Sequence, residues 1–255
     1  QGAINDADTL DGHTIEIPAC TYYENITVNK RLTLQGDGMI STNIYNAPST
    51  CPTDVMTVTA NNVIIRNLAV YGCGTNSTGP YCGIKVTGNN CIIEGAMAAE
   101  CYRNIYLYGA SGTIIRNCWV ITTWDTVEEI TLVGATDSRI YKNRIFRANT
   151  TNKVGYGISL LFSGTQRNVI YSNEIINHKY GVYAYGCGFN EISTNDINND
   201  ENGIYLEYCG SVDIIGNYIK DNSYGVYLKG SSNNNINRNN FETNNSNNAY
   251  LDNSV

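Results

Sequence analysis

Glu174 and Asp196 stand 22 residues apart, each directly after an asparagine. If the chain repeats with that period, the two carboxylates occupy one spot on adjacent units, roughly 5 Å apart. Retaining glycosidases hold their two carboxyl groups at about that distance. Arg144 takes the same place one unit earlier, so the competing reading is an exposed ladder of alternating charge that only stabilises. Arg66, Glu94 and Arg116 form a second such ladder, and Glu207 with Lys229 a further pair. Nine cysteines are accompanied by two histidines, His13 and His178, with no C-x-x-C pair. That composition does not build a zinc site, and the expectation is no metal and no cofactor. Cys187 and Cys209 hold equivalent positions in consecutive units, as do Cys73 and Cys101. Stacked positions lie within disulfide reach, which makes both pairs disulfide candidates, with stacked free thiols as the alternative. The Asn195–Asn202 corner is rich in Asp and Asn but matches no calcium-loop pattern, and reads as a solvated turn.

Tyrosine supplies the other recurring chemistry. Tyr106, Tyr183, Tyr205, Tyr227 and Tyr250 share one outward position of the repeat. A row of rings stacks on itself, packs against another subunit or stacks on sugars. Four N-x-S/T sequons begin at Asn25, Asn76, Asn149 and Asn244 and are glycosylation candidates.

The elements that position these groups follow from composition and period. In 255 residues there are 37 Asn, 24 Gly and 20 Tyr, and only 15% charged residues. Asn and Gly tolerate left-handed turns, and Tyr favours strands. A phrase recurs as VIIRNLAV, CIIEGAMA, TIIRNCWV, RIYKNRIF, VIYSNEII, EISTNDIN, DIIGNYIK and NINRNNFE, anchored at Asn67, Gly95, Asn117, Asn143, Asn173, Asn195, Asn217 and Asn239. The last spacings are 22 residues, and earlier ones carry insertions. Isoleucine stands three before each anchor, from Ile64, Ile92 and Ile114 to Ile236, and a second apolar column, including Ala69, Met97, Trp119 and Ile145, stands two after. A second phrase (GIKV, NIYL, EITL, GISL, GVYA, GIYL, GVYL, NAYL) alternates apolar and polar residues. Alternation is strand periodicity with one buried face. The change of parity at the anchor requires a corner, for which a left-handed Asn or Gly is suited. Coils of short strands that stack in parallel satisfy both. The expected architecture is all-β: a right-handed parallel β-helix of about ten coils, one domain over residues 1–255, irregular to residue 60 and repetitive over 61–255.

These columns resemble the parallel β-helix repeat family that includes pectate lyases, polygalacturonases and NosD-type periplasmic proteins. The opening DGHTIEIPACTYYENITVNKRLTLQGDG is similar to the first coil of NosD-like and sugar-hydrolase β-helices. The resemblance implies the fold; lyases, hydrolases, spikes and inert walls all share it. The Asp-Asp and His-Gly pairs of polygalacturonases are absent, as is a W-I-D-H stretch like that of pectate lyases. The Gln and Asp phrases of pectin methylesterases, whose first coil is also similar, are not visible.

A net charge of −7 argues against nucleic acid as a partner. No segment approaches the roughly 18 apolar residues of a membrane span. The start at Gln1-Gly2-Ala3 and the cysteine usage suggest an extracellular or cell-surface protein, mature after removal of a signal peptide. The favoured function is structural: a secreted protein that assembles head to tail with itself into a surface filament, sheath or envelope layer. The inward columns run to Ala249 and Leu251 near the last residue, leaving an end that invites addition. The alternative is a carbohydrate-active enzyme, a lyase or hydrolase, or a polysaccharide-binding module.

Overall fold

The computed structural model describes residues 1–47, 53–72, 81–123, 128–148, 153–244 and 246–254. Three parallel sheets of ten strands each wind into a right-handed β-helix. The first sheet begins at Thr14–Ile17 and ends at Asn235–Asn237; the second runs from Cys20–Tyr23 to Asn240–Glu242; the third runs from Ile26–Val28 to Asn247–Asp252. Each turn of chain contributes one strand to each sheet, so ten coils give a rod roughly 45–50 Å long at about 4.8 Å per coil. The expected fold class and coil number are both borne out. Among the described residues no helix is long and apolar enough to cross a membrane.

The core is a set of axial columns. In the first sheet Leu34, Ile65, Ile93, Ile115, Ile140, Ile170, Ile192 and Ile214 stack in register, and all are buried. The third sheet carries two columns, one through Ile84, Ile105, Ile130 and Ile158, the other through Val86, Leu107, Leu132 and Leu160. Burying one such side chain contributes about 2 kcal/mol, and every added coil repeats the gain.

The structure corrects the alignment of the early repeats by one residue. Ile114 pairs with Arg139, and Ile115 with Ile140. The inward residues of these coils are therefore Ile65, Ile93 and Ile115, while Ile64, Ile92 and Ile114 are half-buried on the outer side. Trp119 pairs with Arg144 and stands 41% exposed on the outer face of the second sheet, not in the core. The cause is the corner. Asn67, Gly95 and Asn117 are themselves left-handed, with φ of 55°, 55° and 53°. In later coils the left-handed residue is the one before the asparagine: Lys142, Ser172, Thr194, Gly216 and Arg238. The asparagine then turns inward. A slip of one residue exchanges the two faces of a strand, because side chains alternate with period two.

Those inward asparagines form a ladder. Asn143, Asn173, Asn195 and Asn217 are buried. Asn173, Asn195 and Asn217 each accept at Oδ1 from the backbone N–H of the asparagine one coil before, Asn143 accepts from the Cys118 N–H, and each Nδ2 donates to a backbone carbonyl, as Asn195 does to Ile170 at 2.9 Å. At the N-terminal end a short helix, α1 (Gly2–Asn5), lies across the first coil with Ile4 in the core. The Gln1 amide exchanges hydrogen bonds with the backbone of Thr27, and so covers part of the open edge.

Candidate functional site

The second sheet and the corner before it carry an open groove of about 390 Å³, lined by Asn117, Trp119, Lys142, Asn143, Arg144, Ser172 and Glu174. Trp119, Arg144, Glu174 and Asp196 succeed one another in a single outward column. The adjacency expected of Glu174 and Asp196 is thus present. Glu174 nevertheless faces Arg144, with Nε 3.0 Å from Oε2, and both side chains are about half exposed. Arg144 also lies over the Phe146 ring, 4.8 Å from its centroid. Lys142 makes no ion pair among the described residues. As chemistry this is a cationic, partly aromatic surface; Glu174 is engaged as a charge partner. The second charge ladder is also formed: Arg116 Nη2 lies 2.5 Å and Arg66 Nη1 3.9 Å from the Glu94 carboxylate. Lys229 sits 2.8 Å from Glu207.

Tyr183, Tyr205, Tyr227 and Tyr250 stack along the third sheet, with ring centroids 5.8, 4.8 and 4.8 Å apart. Tyr156 and Tyr180 join the same surface. Tyr106 is in the column but separated from the row by Thr131 and Ser159. Most of these rings are half-buried against one another, and Tyr250 is the exposed one. Of the sequons, Asn76 and Asn149 lie outside the described residues. The Asn25 amide donates to Thr53 and to the Asp54 carbonyl, and that of Asn244 to the Ile219 carbonyl, so a glycan on either would replace an internal donor.

Cys187 and Cys209 are buried thiols with sulfurs 3.8 Å apart. A hydrogen bond from Cys187 holds the Cys209 thiol below its ordinary value and pushes Cys187 above its own. The register is right for a cross-link, and the thiolate is the attacking species in disulfide formation. We expect non-reducing peptide mapping of protein kept under oxidising conditions to recover residues 187 and 209 in one linked fragment; two separately alkylated cysteines would reject that. Cys101 is buried, and its candidate partner Cys73 lies outside the described residues.

The sequence reading missed a buried polar cluster at the corner between the second and third sheets. Glu129, Arg147, His178 and Asp200 are all essentially inaccessible. His178 Nε2 is 3.9 Å from Glu129 Oε1, and Nδ1 is 3.4 Å from Asp200 Oδ1. The His178 backbone N–H donates to Asp200 Oδ1 at 2.6 Å, and Asn104 donates to Glu129 Oε2. Burial pushes Glu129 up to about 8, against the opposing pull of Asn104 and Arg147. It raises Asp200 well above the carboxylate range and, with Arg147, lowers His178 to about 3. Gly157 and Gly181 make the room, since a Cβ there would fall 3.2 Å from His178 Nδ1 and 2.6 Å from Asp200 Oδ2. The signal was available: His178 and Asp200 each stand five residues after a ladder asparagine, opposite a glycine that opens the second phrase.

Comparison with known proteins places this geometry. The enzymatically active domain of tailspike protein 2 from bacteriophage CBA120 superposes with a TM-score of 0.72 at 14% identity, over 94% of this chain and 42% of that one. An alginate lyase from Paenibacillus sp. superposes with a TM-score of 0.64 at 14% identity, over 97% and 95%. At such identity the likeness is one of fold. A cell surface glycoprotein of Methanothermus fervidus is 42% identical over 72 residues, which is 28% of this chain and 12% of that protein. The family described as periplasmic copper-binding protein (NosD) matches residues 14–202 and 145–255. Among the described residues, no group of three His, Cys, Asp or Glu is placed to hold a metal ion such as copper. His178 is sealed in the core, and His13 is exposed at the N-terminal end. The match runs nearly the length of the sequence, and on that ground the chain belongs to the NosD family of β-helix repeat proteins.

Proposed function

We propose that this chain is a structural, rod-forming component of a cell surface, partnered by further copies of itself. The observation that carries the reading is the continuity of the inward columns. They run in register through Ala249 and Leu251 in the tenth coil, so every coil presents the same apolar face to the next. This face repeats those that join coil to coil inside the rod, so a further coil of the same pattern fits it. Head-to-tail contact would seat it against the first coil and α1 of a second copy, a heterologous contact that extends without closing. The segment shared with a cell surface glycoprotein supports an extracellular or surface location.

Sedimentation velocity of the purified chain tests the assembly. Species should grow with concentration past the dimer, and Leu251→Lys should abolish them while leaving the strand spectrum intact. A monomer at high concentration under oxidising conditions would remove the proposal. A second reading, a polysaccharide-binding module, is favoured by the exposed indole of Trp119. The alginate lyase of the same fold is a protein that acts on a polysaccharide.

A further inference from the structure

We propose that the groove beside Trp119 binds an anionic sugar residue of a polysaccharide, through the indole face together with Lys142 and Arg144; this rests on the second reading above. Three features of the groove select that ligand. Trp119 is an outward residue on a rigid strand, 41% exposed, with Arg144 next in its column. A flat, fixed aromatic face stacks on the C–H face of a pyranose at little entropic cost. Among the lining residues Lys142 and Arg144 outnumber the one carboxylate, Glu174, and Asp196 lies one coil further on, so the Trp119 end of the groove carries the positive charge on a chain whose net charge is −7. Arg144 is oriented by Glu174 at 3.0 Å, while Lys142 has no such partner among the described residues and is available to an incoming anion. Asn117 and Ser172 border the cations with an amide and a hydroxyl suited to sugar hydroxyls. The volume of about 390 Å³ falls within the range of small-ligand sites.

Affinity electrophoresis of the whole chain through gels containing polygalacturonate, a sulfated glucan or an uncharged glucan tests this. The expected result is retardation by an anionic polymer and not by the uncharged one. The apparent Kd should rise at least tenfold in Trp119→Ala and in Lys142→Glu, and remain within twofold of the parent in Arg238→Glu, which changes the same charge at a distant corner. Polygalacturonate against sulfated glucan shows whether the bound anion is a carboxylate or a sulfate. Equal loss in Arg238→Glu would reduce the binding to general charge and overturn the groove. Retardation unchanged in Trp119→Ala would overturn the groove while leaving polysaccharide binding elsewhere on the rod. No retardation by any polymer would overturn both. Circular dichroism of each variant, matching the parent strand spectrum, separates lost binding from lost fold.

Discussion

Asn195→Leu should lower the unfolding free energy by about 4 kcal/mol, although leucine matches asparagine closely in size. Asn195 Oδ1 accepts from the backbone N–H and from Nδ2 of Asn173, both at 3.0 Å, and Asn195 Nδ2 donates to the Ile170 carbonyl and to Asn217 Oδ1. All of these groups are inside the rod, away from water. Removing one rung strands partners on both sides, and each stranded buried group costs about 1–3 kcal/mol. The neighbouring residue should respond with the opposite sign. Thr194 holds a left-handed backbone at φ 52°, which is strained for a β-branched side chain. Thr194→Gly should relieve that strain and raise stability by about 1 kcal/mol. Denaturant unfolding of both variants distinguishes the ladder from the corner. If Asn195→Leu unfolds at the parent midpoint, the asparagine column is incidental.

Stability should fall as pH rises from about 5 to 8, because the folded rod keeps protons that the unfolded chain gives up. The ordinary Glu129 value of 4.5 is pushed up to about 8 by burial, and Asp200 moves in the same direction. Over that window the unfolded carboxylates are already largely ionised while the folded ones still hold their protons until the folded value is approached, so their contribution is complete at low pH and is lost on the way to the folded values. Glu129 alone accounts for roughly 3–4 kcal/mol. His178 works in reverse. Its value drops from 6.5 to about 3, so its contribution is present above its ordinary value and is lost in acid. The groups that set these values are Asn104, Glu100 and Arg147 around Glu129, Arg147 around His178, and Lys153 with the His178 backbone around Asp200. Glu129→Gln keeps an acceptor for Asn104 and removes one titrating group. It should flatten the decline by about one proton, read as the slope of unfolding free energy against pH. A decline as steep as in the parent would show that Glu129 does not carry it.

The architecture was legible in the residues themselves. Alternation in the second phrase, the 22-residue spacing and the turn-forming Asn and Gly leave few solutions other than stacked coils, and the third-sheet columns came out residue for residue. The charge ladders and the tyrosine row followed from the same register, since equivalent positions of a coil repeat must be neighbours in space. What the phrases could not decide was which residue turns each corner. Asn117 and Asn143 look equivalent in sequence, yet one is the left-handed residue and the other follows it. An asparagine serves either role, through its tolerance of positive φ or through its amide, and only the packed neighbour selects between them. That single-residue choice moved Trp119 from the expected core to the surface and built the groove around it. The buried cluster was hidden for a related reason. Glu129, Arg147, His178 and Asp200 belong to different coils, and nothing local marks a charged residue as inward. It takes the glycines at 157 and 181, and the corner between the second and third sheets, to bring these four side chains together and to shift where their protons reside.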